Sequence, residues 1–525
     1  MTRAAQAYPA ISRMRPPLRT TRRRFLFGAS AWGLAPSLPP CAAEDSADPC
    51  DWSAVQAVAH LRNGDMPCER YARALLERCA ANAGLNAFIT LVPENVLEAA
   101  RACDKARSAG VRPGPLFGLP VPVKDSVNTA QYPTTAGTPA LRHFRPAEDA
   151  PIVRTLRNAG ALVLGKTNLH ELSYGWTSNN LAFGPVRNPY DPGRIPGGSS
   201  GGTAAVIASR MAPLGIAEDT EGSIRVPAAF CGIHGLRPTT GRYSTQGCVP
   251  ITPLFDQVGP HARSVADLAL FDSVVTGDWQ PLSQVPLRGV RLGLVRNYFF
   301  RNLDPELERI TVNAIGRLRQ AGVEFIESEL PGLDALIDQI TEPVQNHDVR
   351  LALARYLARY QAGVSFETLV RSASPDIREL FADAVLPDAP HRVSEEAYER
   401  AVHTGLPQLH RLYVDYFKRT GVRGILFPVT LIPAPPIGSD TDVRIAGRAV
   451  PFETAVAHNI APGSTAGLPG LVLPAGLTAS GLPVALEIDA PAGHDRALLA
   501  LGSTIAAELG PLPAPPSPSS VVLRG

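Results

Sequence analysis

Lysine is nearly missing from this chain. Its 525 residues include 50 Lys and Arg, yet only four are Lys: Lys105, Lys124, Lys166 and Lys418. Arg serves wherever a surface cation will do. A retained Lys is therefore a candidate for a place where an always-charged guanidinium cannot work, because burial can make Lys neutral at working pH and cannot do so for Arg. Other shortages exclude whole classes. The apolar stretch at 27–38 is too short and too Pro-rich to span a bilayer, so no stable membrane anchor is expected. No pair among the seven Cys has zinc-ligand spacing. No internal repeat is evident.

The first 43 residues read as a separate module. Thr21-Arg22-Arg23-Arg24-Phe25-Leu26 is a twin-arginine signal, followed by the short apolar stretch and a small-residue site near Cys41-Ala42-Ala43. This predicts a bacterial protein delivered to the periplasm, with the twin-arginine export machinery as a partner. Lipidation of Cys41 is the alternative, although Leu38-Pro39-Pro40-Cys41 is a poor lipobox. The segment carries seven Arg and no acid, so its removal leaves 43 basic against 48 acidic residues, a net charge of −5. That balance gives no reason to expect a nucleic-acid partner. Six Cys remain (50, 68, 79, 103, 231 and 248), an even number that permits disulfides in an oxidising compartment. Twin-arginine cargo folds before export, so the fold should not depend on them. Cys68 and Cys79 share a helical face with Tyr71, Ala72 and Leu75, which reads as core.

The informative segment is 197–223. It begins Gly197-Gly198-Ser199-Ser200-Gly201-Gly202 and, after a small apolar run, reaches Glu218-Asp219-Thr220-Glu221-Gly222-Ser223-Ile224-Arg225. Glycine allows positive φ and close approach. A serine on such a turn can present its hydroxyl and its own N–H to one point, the arrangement acyl transfer needs. Serine also needs a base. No His lies in either turn, the nearest being His234. Lys124, at the end of Pro120-Val121-Pro122-Val123-Lys124, reads as a buried strand end. Lys105 and Lys418 lie in polar helical stretches, while Lys166, after Ala161-Leu162-Val163-Leu164, is a rival to Lys124.

Lys124 in G-L-P-V-P-V-K-D, Ser199 in G-G-S-S-G-G and Ser223 in D-T-E-G-S-I-R-V-P-A-A-F-C-G together resemble the amidase signature hydrolases. The likeness runs from about Trp52 to about Leu509 and includes G-K-T-N at 165–168 and G-L-R-P-T at 235–239. The stretch 182–270 looks most like mandelamide and indoleacetamide hydrolases. The resemblance implies an α/β fold with one large twisted mixed sheet covered by helices on both sides. It further implies hydrolysis of a small-molecule amide, with no metal or organic cofactor. Ser223 then matches the acyl-forming nucleophile, Ser199 the bridging serine after a cis peptide bond, and Lys124 the base. The backbone of Thr220, Glu221, Gly222 and Ser223 matches the oxyanion hole. Ser173, Trp176 and Ser178 fall in the segment that borders the acyl pocket. One residue departs from the pattern, since the family usually has Gly or another small residue where this chain has Glu221. Its side chain either points away or tunes the site against anionic substrates.

Gly160 to Thr167 fits the letters of a phosphate-binding P-loop, but here the four variable residues are themselves an apolar strand, so nucleotide binding is not expected. The chain divides into the signal at 1–43, a catalytic domain at 44–510 and a Pro/Ser tail at 511–525 read as disordered. Helices are expected across 52–109, at 152–158 and at 305–320. Strands are expected ending at Lys124 and at 161–164, 289–295, 424–436 and 468–489. The region between 223 and 259 reads as Gly- and Pro-rich loops. Residues 335–420 read as a helical region that caps the site and sets specificity. A homodimer is compatible with the sequence. Two rival functions stay open on the same scaffold: the glutaminase-type subunit of a tRNA amidotransferase, and a catalytically silent periplasmic binding protein.

Overall fold

The computed structural model describes residues 48–516; the leader read at 1–43 and the last residues of the tail lie outside the described residues. An 11-stranded mixed sheet runs through the molecule. From edge to edge its strands are Phe88–Thr90, Leu162–Thr167, Pro120–Lys124, Leu214–Asp219, Gln257–Ala262, His234–Arg237, Gly470–Leu477, Pro483–Asp489, Ile425–Pro428, Arg291–Leu294 and Glu324–Glu327. Pairing is parallel from Leu162–Thr167 to Leu214–Asp219 and again from Ile425–Pro428 to Glu324–Glu327, and antiparallel elsewhere.

Helices cover both faces. Successive strand residues point to opposite sides. Leu471 meets Gly502 of the helix Asp495–Leu509, whereas its neighbour Gly470 lies against Arg225 of the helix Arg225–Phe230. Strands buried on two faces need continuous rather than alternating hydrophobicity. Leu162–Thr167 and Leu214–Asp219 are accordingly buried along their whole length.

Two inner strands fall in or run out of the region 223–259 that reads as loops. His234–Arg237 and Gln257–Ala262 carry Gly235, Gly259 and Pro260, residues that local propensity assigns to turns. Tertiary packing selects them instead. A Cβ on Gly259 would sit 2.2 Å from the Leu236 carbonyl oxygen, so only glycine lets these two strands lie together. Pro122 also leaves its mark, because a proline has no N–H to offer the ladder. The register between Pro120–Lys124 and Leu162–Thr167 shifts between Val121 and Pro122.

The region 335–420 is largely helical, with Leu333–Arg359, Phe366–Ser372, Pro375–Ala384, Glu395–Arg400 and Leu406–Thr420. Leu353, Leu357, Leu369 and Phe381 from this region share a buried cluster with Leu141, Leu172 and Ile251, which places it over the loops around 136–172 and 251. The chain past Leu509 is partly held, as the Tyr190 hydroxyl donates to the Pro513 carbonyl oxygen at 2.9 Å. Among the described residues no helix is long and apolar enough to cross a membrane.

Candidate active site

Parallel pairing assembles the site. Val123 lies opposite Ile216, so Pro120–Lys124 and Leu214–Asp219 run out at the same edge of the sheet. Ligands in α/β sheets gather at such carboxyl ends. Lys124 ends the first strand, and the turn 220–223 follows the second. The helix Gly201–Ala208 packs against both strands and sets Ser199, just before it, between them. Lys124 Nζ donates to Ser199 Oγ at 2.7 Å, with both residues fully buried. The Gly198–Ser199 peptide bond is cis. Ser223 is 5% exposed, the only member of the set that solvent reaches.

The neighbouring residues sort themselves. Ser200 cannot replace Ser199, because its hydroxyl bridges the Glu218 backbone, donating to the carbonyl at 3.0 Å and accepting from the N–H at 3.3 Å. Lys166 is equally buried, but its Nζ reaches Thr134 Oγ1 at 2.9 Å, the Pro133 carbonyl at 3.1 Å and Asp125 Oδ1 at 2.9 Å. That is a structural pair, so Lys124 is the lysine at the serines. Lys105 and Lys418 are exposed. Burial lowers the pKa of Lys124, against the opposing pull of the Glu218 and Asp219 carboxylates. The neutral amine, which can accept a proton, is thereby favoured.

The Ser223 turn is braced from below. Asp219 Oδ1 accepts from the Gly222 N–H at 2.8 Å, and Oδ2 from the Ile224 N–H at 3.0 Å. The Arg225 Nε (3.1 Å) and an Arg237 guanidinium nitrogen (3.0 Å) hold the same carboxylate. Burial alone would raise the Asp219 pKa, but the two guanidiniums and the backbone donors hold it well below the usual carboxylate range. Gly222 has φ of 91°, and a Cβ there would lie 1.8 Å from Ile460 Cδ1, so this position demands glycine. Trp176 Nε1 donates to the Glu221 carbonyl at 2.8 Å from the other side.

Two sequence readings change here. Ser178 does not line a pocket. It is fully buried; its single Oγ hydrogen is shared between the Gly197 carbonyl at 2.9 Å and the Ser199 carbonyl at 3.2 Å, and its oxygen accepts from the Gly201 N–H at 3.1 Å. Its work is to hold the Ser199 loop. Gly222 does not have an open N–H, since its single hydrogen goes to Asp219. Ser173 lies at the site, at positive φ (61°), with its Oγ 3.4 Å from Glu218 Oε2. Leu172 and Ser178 also have positive φ, an uncommon conformation for residues with a side chain that gathers at functional sites.

Sequence reading missed how the cap is wired to this site. Along Leu333–Arg359, Thr341, Gln345, Asp348 and Tyr356 recur at helical spacing on a buried face. They meet Thr465 (2.7 Å), Glu221 (2.5 Å), Thr252 (2.7 Å) and Asn128 (2.5 Å) respectively. The available signal was polar residues recurring with Ile337, Ile340 and Val344 on an apolar face. The Glu221 side chain thus turns to Gln345 of the capping region, and burial pushes its carboxyl up to about 8, reinforced by Glu453 and Glu342. Among the described residues no group of three or more His, Cys, Asp or Glu is placed to hold a metal ion.

Comparison with known proteins agrees with this geometry. The Amidase family model matches residues 70–499. The chain is 39% identical over 459 residues to an indoleacetamide hydrolase of Rhizobium radiobacter, covering 87% of this chain and 97% of that one. It is 35% identical to a mandelamide hydrolase of Pseudomonas putida, covering 88% and 92%. A solved structure described as an amidase superposes with a TM-score of 0.78 at 31% identity, covering 87% of this chain and 100% of the other. This chain therefore belongs to the amidase family, and it is a hydrolase of carboxylic amide C–N bonds.

Proposed function

We propose that this enzyme cleaves small aryl-alkyl primary amides to acid and ammonia through an acyl-enzyme on Ser223. The observation that carries the mechanism is the 2.7 Å hydrogen bond between two fully buried groups, Lys124 and Ser199. Neutral Lys124 takes a proton from Ser199, which takes one from Ser223, and Ser223 Oγ attacks the amide carbon. The N–H groups of Thr220, Glu221 and Ser223 receive the oxyanion, that of Gly222 being engaged with Asp219. The relay then reverses and protonates the leaving nitrogen. Water repeats the cycle on the ester. A positioned oxyanion donor contributes about 10²–10³-fold in rate, which gives the bracing of this turn its kinetic meaning.

The substrate class rests on Trp176, a partly exposed aromatic bonded to the turn, and on relatives named for indoleacetamide and mandelamide. Trp176 and Ser173 are the side chains proposed to meet the substrate. An ammonia-release screen across arylacetamides, peptide amides, fatty acyl amides and lactams tests this. Arylacetamides are expected to give the highest kcat/KM; a preference for peptide or fatty acyl amides would refute the assignment.

Glu221 adds a pH-dependent filter. With its carboxyl at about 8, it is largely protonated at pH 7 and ionises as pH rises through that value. Discrimination against amides bearing a carboxylate should therefore grow between pH 7 and 9. Glu221→Gln should remove that growth while leaving neutral amides within about 3-fold of wild type. Parallel profiles for wild type and variant would retire the filter.

Export through the twin-arginine pathway to the periplasm is proposed from Arg22–Arg23–Arg24–Phe25–Leu26. Replacing the arginine pair by lysines should leave the protein in the cytoplasmic fraction, and unchanged fractionation would oppose it.

A further inference from the structure

Behind Lys124 sits a carboxylate that the Ser-Ser-Lys relay does not use. Glu218 is 3% exposed, and its Oε2 lies 3.7 Å from Lys124 Nζ. The same oxygen accepts from Ser126 Oγ at 2.6 Å and from Ser173 Oγ at 3.4 Å. The other oxygen, Oε1, is buried without a hydrogen-bond partner among the described residues. An unpartnered carboxylate oxygen away from water is costly unless a charge or proton compensates it. Among the described residues the only amine in an ion pair with Glu218 is Lys124.

Resting on the assignment of Lys124 as the base, we infer that Glu218 is a positioning residue of the hydrolysis, fixing the lysine and balancing the ammonium formed each time Ser199 gives up its proton. The proton moves from Ser199 Oγ to Lys124 Nζ, and from Ser223 Oγ to Ser199 Oγ. The amine becomes a buried cation 3.7 Å from a carboxylate that Ser126 holds in place. Charge that develops during the reaction is then met by a group already oriented toward it, and such interactions lower barriers. Ser173 takes on a second meaning here, because it joins the pocket segment to the same carboxylate.

Asp219 and Asp256 also act on Lys124, as does the Cys248 thiol, while His170 and His261 feel it in turn. Asp219 is saturated by Arg225 and Arg237, and Asp256 by Thr220, Ile251 and Thr252. Lys166 is spent on Asp125. Glu218 is the carboxylate with an oxygen to spare beside the amine.

Glu218→Gln keeps the shape and removes the charge. Without a neighbouring anion Lys124 loses its proton more easily and is a weaker base. The acid limb of kcat/KM should move down by about one pH unit, and plateau kcat should fall about 10- to 100-fold with KM within about 2-fold. A merely structural role would lower kcat at every pH and leave the limb where it was. Ser126→Ala, which removes the donor that orients Glu218 and leaves every charge in place, should lower kcat about 3- to 10-fold at unchanged KM. An unmoved limb in Glu218→Gln, or wild-type kcat in Ser126→Ala, overturns the inference. If Lys124→Ala remains active, the underlying assignment of the base has failed instead, so the two failures are told apart.

Discussion

Ser223→Ala protein is expected to fold as wild type and to lose at least about 10⁴-fold in kcat. The substitution removes one oxygen from a residue that is 5% exposed and whose turn is held by other groups. Asp219, Arg225, Arg237 and Gly222 fix the backbone, and none of them bonds the Ser223 hydroxyl. Thermal unfolding should move by less than about 2 °C, while turnover of any amide, and reaction with acylating probes, should vanish. Only covalent catalysis at this hydroxyl gives both results. Residual activity within about 10-fold of wild type would assign the nucleophile elsewhere.

Lys124 gives the second large effect, with a sharper chemical signature. Lys124→Ala is expected to reduce kcat by at least about 10³-fold. Lys124→Arg should be as inactive although it retains a cation, because guanidinium cannot give up its proton in the working range. The sign of the pH dependence follows from burial. Desolvation lowers the lysine pKa, so the neutral base gains population as pH rises, and wild-type kcat/KM should climb on the acid side and then level. Ser199→Ala, which breaks the 2.7 Å contact and leaves both end members, should be severe but less so. A flat wild-type profile between pH 6 and 10, or an active Lys124→Arg, would contradict a neutral lysine base.

Much of this chemistry was legible in the sequence because it depends on residues with few substitutes. In a chain that writes nearly every cation as Arg, the four lysines were a short list. Burial then distinguishes Lys124 and Lys166 from the exposed Lys105 and Lys418, and hydrogen bonding separates the first two. The helix Pro305–Gln320 was likewise visible at its observed bounds from an apolar stripe at helical spacing, Leu307, Ile310, Ala314 and Leu318. What stayed hidden depends on partners distant in sequence. Gln257–Ala262 is a strand because Leu214–Asp219 and His234–Arg237 flank it, not because Gly259 and Pro260 favour one. Ser178 looked like a pocket residue because the family resemblance places its segment beside the acyl pocket; its hydroxyl is consumed by carbonyls of the Ser199 loop, about 20 residues further on. Glu218 gave no local signal, since a carboxylate beside a glycine turn reads the same whether solvated or paired with a lysine 94 positions earlier.

The proposed mechanism turns on the segment 197–223, where one serine becomes acylated with Lys124 behind it. The most direct measurement is labelling of the purified enzyme with a fluorophosphonate, followed by peptide mass spectrometry. One adduct per chain is expected on the peptide containing Ser223, formed faster as pH rises and absent in Ser223→Ala protein. An adduct on another residue, or undiminished labelling of Ser223→Ala protein, would contradict it.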